Sequence, residues 1–170
     1  MDAEQLRALQ APLKQSYREQ PENAFVTLSA RGTLGSGVSC KVETGQALVE
    51  AGLHPATGGD GTLACSGDML LEALVACAGV TLNAVATAIN VELRDASLVA
   101  EGDLDFRGTL GVEREAAVGF KAIRLNIELD TDADEEQIEN LLKLTKRYCV
   151  VFQTLRGVAE LDTVHTIRGQ

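Results

Sequence analysis

The sequence predicts an α+β chain built around one central helix. Two observations carry that reading. The run Met69 to Ile89 is apolar on nearly every helical face, whereas the segments on either side are β-branched or alternating and are broken by glycine.

The first segment, Asp2 to Tyr17, sets Leu6, Leu9 and Leu13 at helical spacing around Pro12, which predicts a short peripheral helix ending before Gln20 and Pro21. Ala24 to Ala30 and Val38 to Val42 flank the Gly-rich stretch Gly32 to Gly37, the pattern of a hairpin, and Gln46 to Ala51 supplies a third strand. Gly52 to Gly67 then reads as a loop. Ser66 is expected to cap the central helix, with Asp68 in its first turn at the positive end of the helix dipole.

Beyond Asn90 the expected strands are Val91 to Leu98, Val99 to Arg107 and the alternating Phe120 to Leu129, with a turn at Gly108 to Gly111. Asp132 and Glu135 resemble a capping box opening a helix Asp134 to Arg147. A short helix, Val150 to Leu155, and a strand, Ala159 to Ile167, close the chain. RGTLG occurs twice, at Arg31 to Gly35 and Arg107 to Gly111, and is read as a strand running into a turn rather than as a repeat architecture.

A length of 170 residues suits one domain with its own core. The N-terminus has the pattern of neither a signal nor a transit peptide, so a cytoplasmic location is expected. Met69 to Ile89 is long enough to span a bilayer. It nevertheless carries Glu72 and Asn83 and lacks basic flanks, so no membrane is expected. A formal charge of −10 with dispersed Lys and Arg argues against nucleic acid, and aromatic residues are too scarce for stacking platforms. The expected ligand is small.

Motif spacing excludes several chemistries. Asp130, Asp132 and Asp134 begin like a calcium loop, but Glu135 stands where glycine is needed and Leu141 where a bidentate Glu belongs. The glycine clusters match neither dinucleotide nor P-loop fingerprints. Four scattered cysteines, Cys40, Cys65, Cys77 and Cys149, form no zinc motif and no secreted disulfide framework. His54, in the Gly-rich loop, is a candidate base or proton shuttle, while His165 falls on the expected terminal strand.

Two thiols remain. Cys77, inside the central helix, is either an inert core thiol or a sheltered reactive one. Cys149 follows Lys146 and Arg147 and opens a short helix, so two cations and a helix N-terminus are available to favour its thiolate. Cys40 and Cys65 have no evident activating neighbour.

Three segments together resemble the OsmC/Ohr family of osmotically inducible and organic hydroperoxide resistance proteins. They are SGDMLLEALVACAGVTL (66–82), GDLDFRGTLGVEREAAVGFKAIRLNIEL (102–129) and KRYCVVFQTL (146–155). The resemblance divides the chain into an N-terminal helical extension, 1–23, and an OsmC-like domain, 24–170. It implies antiparallel sheets wrapped around a buried central helix, in an intertwined homodimer with active sites at the dimer interface.

The resemblance also implies a thiol peroxidase that reduces organic hydroperoxides. Cys77 is then the attacking thiol and Cys149 the resolving one, with an external dithiol reductant and no bound cofactor. An arginine from the N-terminal strands and a carboxylate at the start of the central helix would hold the thiolate; by position these are Arg31 and Asp68, with Glu72 in reserve. Leu70, Leu74, Val80 and Phe152 are expected to form an apolar wall. The sequence departs from the family in having Val150 where proline usually follows the second cysteine, and Ser66 and Gly67 where Pro and Glu precede the helix. These departures sustain an alternative, a non-catalytic OsmC-like stress or small-ligand-binding dimer.

Overall fold

The computed structural model describes residues 3–34, 40–42 and 51–157. Helix α1 (Ala3–Glu19) leads through a 3-10 turn into strand β1 (Phe25–Leu34), which pairs antiparallel with β2 (Cys40–Val42). Two short strands, β3 (Ala51–Gly52) and β4 (Ala64–Cys65), pair in parallel ahead of the central helix α2 (Ser66–Ala88). Strand β5 (Asp95–Asp105), the helical turn α3 (Phe106–Thr109), strand β6 (Ala122–Asp130) and helices α4 (Glu135–Tyr148) and α5 (Val150–Arg156) follow. The main sheet runs β2-β1-β5-β6, with antiparallel neighbours throughout.

The layers follow from residue pattern. Along β5, Ala96, Leu98 and Ala100 are buried, and the intervening residues face a ladder of polar partners on β6. On that outer face Arg124 bonds Asp103 and lies 3.6 Å from Glu101, and Ser97 donates to Glu128. The buried face receives α2, whose Leu71, Leu74, Val75, Ala78, Leu82 and Val85 recur at helical spacing. Leu141 of α4 closes the same core.

Several sequence expectations are corrected. The expected strands 91–98 and 99–107 are one shorter strand, Asp95–Asp105, because no turn residue interrupts the alternation between Leu98 and Val99. β1 runs through Gly32 to Leu34, its ladder to β2 and β5 outweighing the glycine. The RGTLG pair therefore separates: Arg31 to Leu34 is strand, whereas Arg107 to Thr109 is a helical turn capped by Asp105. Cys65, not Ser66, is the N-cap of α2. The capping box of α4 is Asp134 with Gln137, at 2.8 and 3.0 Å, since Asp132 is held by Arg94. The expected strand Ala159 to Ile167 and most of Gln46 to Ala51 lie outside the described residues.

One further expectation changes. Although α2 is apolar on every side and long enough to cross a membrane, it packs as the core helix of the domain, and only one of its faces is buried. Met69, Leu70 and Val80 stand 36 to 39% exposed in an apolar stripe on the opposite side.

A second, smaller core fastens α1 to the domain. Tyr17, Ala24, Phe106 and Leu110 are buried together, and the Tyr17 hydroxyl donates to the Ala56 carbonyl at 2.6 Å.

Candidate active site: a dithiol at the start of α5

Cys149 ends α4 and caps α5. Its backbone N–H reaches the Thr145 carbonyl at 2.9 Å, and its Sγ accepts the Phe152 N–H at 3.4 Å. This extended residue between two helices turns the thiol inward, where it is 1% exposed, while Lys146, Arg147 and Tyr148 remain at the surface. The two cations therefore do not activate it. Burial, followed by the neighbouring Cys77 sulfur, pushes the Cys149 thiol up to about 11, even though the Phe152 N–H works in the other direction.

Cys77 has the opposite balance. It projects from the middle of α2 toward the start of α5. Burial alone would raise its pKa, but the Val151 N–H, the Cys149 thiol and the Val150 N–H, with a smaller effect from the nearby Thr81 hydroxyl, favour the thiolate, and the net shift is downward. Thr81 is held one turn away by its bond to the Cys77 carbonyl at 2.7 Å. The shift is thus downward for the thiol of the central helix and upward for the more deeply buried thiol that follows the two cations.

The structure brings Cys77 and Cys149 together, but the other expected residues are elsewhere. Asp68 lies nine residues before Cys77 on α2, about 13 Å along the axis, so it does not touch that thiol within one chain. Its carboxyl sits half-buried near His54; burial raises its pKa and the histidine partly offsets this. Arg31 pairs with Val99 in the β1–β5 ladder, and its side chain lies outside the described residues. His54 is structural: Nδ1 accepts the Ala56 N–H at 3.0 Å and the ring stacks on Phe106 at 5.0 Å.

Beside the dithiol runs an apolar cleft of about 320 Å³ between β6, α2 and α5. Leu74, one turn before Cys77, and Phe152, whose N–H bonds Cys149, line it with Phe120, Ile123 and Leu125. Leu74 and Phe152 thus stand where an apolar wall was expected, whereas Leu70 and Val80 lie on the exposed stripe of α2.

Sequence reading missed the backbone N–H donors of Val150 and Val151, because an amide carries no residue signature. It also missed a buried ion pair. Asp105 is 1% exposed and grips Arg107 through both oxygens at 2.6 to 3.2 Å, with Lys121 4.0 Å away and the Phe25 ring beneath both cations. The Arg107 bonds, then burial working against them, leave the Asp105 carboxyl below its ordinary value. The Asp-x-Arg spacing at the end of a strand was its available signal.

The mixed fold thus sets the thiol of its central helix beside a second, buried thiol at the start of α5. The model of the OsmC-like protein family matches residues 59–164, and the chain belongs to that family. Three solved structures share the fold. An OsmC-like hydroperoxide resistance protein from Jannaschia sp. CCS1 has a TM-score of 0.64 at 17% identity, over 86% of this chain and 97% of its own. An OsmC-like protein from Mycoplasma pneumoniae gives 0.55 at 20% identity, over 79% and 86%. An organic hydroperoxide resistance protein OsmC from Legionella pneumophila gives 0.53 at 19%, over 78% and 90%. No curated protein sequence matches the chain.

Proposed function

We propose that this chain is a thiol peroxidase that reduces organic hydroperoxides through Cys77 and Cys149. The observation that carries the reading is the meeting of two thiols, Cys77 of the central helix and the buried Cys149, at the start of α5, and the opposite directions of their pKa shifts support it. A peroxidase needs a nucleophilic thiolate and a resolving thiol that does not compete with it.

The Cys77 thiolate attacks one peroxide oxygen. The O–O bond breaks, the sulfur is oxidised to a sulfenic acid, and the departing alkoxide takes a proton to leave as an alcohol. Cys149 sulfur then attacks the sulfenic sulfur, forming the disulfide and releasing water made from the hydroxyl and a proton. A dithiol reductant returns both thiols by exchange and is itself left as a disulfide. Backbone N–H groups of Val150 and Val151 hold the sulfur anion in the first step, and the cleft takes the organic tail.

Arg31 and Asp68 are the proposed cation and carboxylate around the thiolate. At about 13 Å along α2, Asp68 acts only from a second copy, and the exposed stripe of Met69, Leu70 and Val80 supports a homodimer joined through α2. The test is turnover of cumene hydroperoxide with a dithiol reductant. Cys77→Ser is expected to abolish it, and Cys149→Ser to permit one oxidation per site. Full steady-state turnover by either variant sinks the mechanism.

A further inference from the structure

Asp105 is the only buried carboxylate among the described residues, and it does not itself line the cleft. It closes β5, and its two cations come from the two ends of the excursion that joins β5 to β6: Arg107 at the start and Lys121 at the return. Lys121 directly follows Phe120, a ring of the cleft wall. We propose that Asp105 is a positioning residue of the dithiol site, which through these two cations holds Phe120 at a fixed place in that wall. The inference deepens the peroxidase reading and rests on it for the reaction served.

Three observations converge. First, the excursion 106–121 is tied to the domain at both ends. Asp105 accepts the Arg107 N–H at 3.1 Å and grips the guanidinium through both oxygens, while the Arg107 carbonyl accepts the Val112 N–H at 2.8 Å. At the return, the Lys121 ammonium stands 4.0 Å from the same carboxylate and its N–H reaches the Asp103 carbonyl at 2.8 Å. Phe25, opposite Asp105 in the β1–β5 ladder, sets its ring 4.6 Å from the Lys121 ammonium and 5.6 Å from the Arg107 guanidinium, so both cations are held from a second side. Between these ends, Glu115 and Ala116 bond back to Glu113. Second, Phe120 has little latitude. Its ring lies so close on Gly102 of β5 that a Cβ there would fall 2.4 Å away, and a shift at Lys121 therefore moves the ring relative to Leu74 and Phe152 across the cleft. Third, an ion pair is a poor choice for stability alone. Burying a carboxylate costs desolvation that apolar packing avoids, whereas a bidentate grip fixes the geometry of the two chain ends it joins.

The first readout does not need turnover. Alkylation of Cys77 on the full chain is followed by peptide mapping with two neutral reagents, iodoacetamide and its bulky N-benzyl analogue. Asp105→Asn is expected to lower the ratio of the benzyl rate to the iodoacetamide rate roughly ten-fold, within what a misplacement of about 1 Å can cost. The iodoacetamide rate itself stays near that of the parent. Lys121→Met, at a half-exposed position, is expected to fold even where the buried variant does not, and to lower the ratio in the same direction. In turnover, both variants are expected to raise KM for cumene hydroperoxide and to leave kcat unchanged. A side chain that served stability alone would move both alkylation rates together. An unchanged ratio in either folded variant, or two rates that rise or fall together, overturns the inference. Absence of hydroperoxide turnover in the parent, with the ratio falling in the variants, instead strikes the peroxidase reading alone.

Discussion

Cys77 and Cys149 meet where α5 begins against α2; burial, ahead of the neighbouring Cys77 sulfur, raises the Cys149 pKa, while for Cys77 burial is outweighed by the Val151 N–H and then the Cys149 thiol, and its pKa falls. Opposite shifts at two neighbouring thiols are what the proposed division into attacking and resolving cysteines requires.

Thiolate absorbance should therefore rise in two separated steps in a Cys40→Ser, Cys65→Ser background. The first belongs below the ordinary thiol value, and the second at about 11. The signs for stability are opposite. Cys149, raised in the fold, contributes stability that is complete below the ordinary thiol value and lost as the pH climbs toward about 11. Cys77, lowered, contributes stability that is present above that value and lost as the pH falls through its folded pKa. Denaturant titrations at alkaline pH check this: Cys149→Ser should lose less stability than the parent as the pH rises. Two coincident absorbance steps would contradict the assignment.

Val150 is the first residue of α5 and 71% exposed, and Cys149 before it is already extended, at φ −71° and ψ 109°. Proline is tolerated at such a position, so Val150→Pro should keep the fold. It also deletes one of the N–H groups that bond the Cys77 sulfur. The pH midpoint for alkylation of Cys77 should move upward, and an unchanged midpoint would show that the Val150 amide is idle.

Gly102 touches Phe120. A Cβ at position 102 falls on the ring, so Gly102→Ala must push Phe120 out of the cleft wall. Overpacking of this kind costs roughly 1 to 3 kcal/mol. The variant should unfold at lower denaturant. A wild-type midpoint would mean that the ring gives way freely.

Leu141 is fully buried where α4 meets α2. Leu141→Ala is expected to cost about 2 to 5 kcal/mol. Because Thr145 and Cys149 follow on the same helix, the loosened packing should also raise the alkylation rate of Cys149, as read by peptide mapping. Destabilisation without that increase would separate the core from the site.

The chain's order of elements was legible because periodicity is local: the alternation of β6, the apolar run of α2 and the amphipathic face of α4 each lie within one window of sequence. Capping was misplaced by one residue at Ser66, where Cys65 takes the N-cap without a side-chain bond, and by two at Asp132, which Arg94 of a distant segment holds. The two cysteines were legible as well, and the resemblance implied Cys77 as the attacking thiol, but the neighbours of Cys149 along the sequence pointed the other way. Lys146 and Arg147 suggested an activated Cys149, yet a side chain's direction at a helix junction depends on three-dimensional packing, and it turned inward.

The sequence alone thus determined which thiols the protein owns, the helix that carries one and the helix boundary that carries the other. Tertiary structure decided which is acidic. The pKa of a thiol follows the donors and the water within a few ångströms of the sulfur, and for Cys77 those are amides and a thiol more than sixty residues away along the chain.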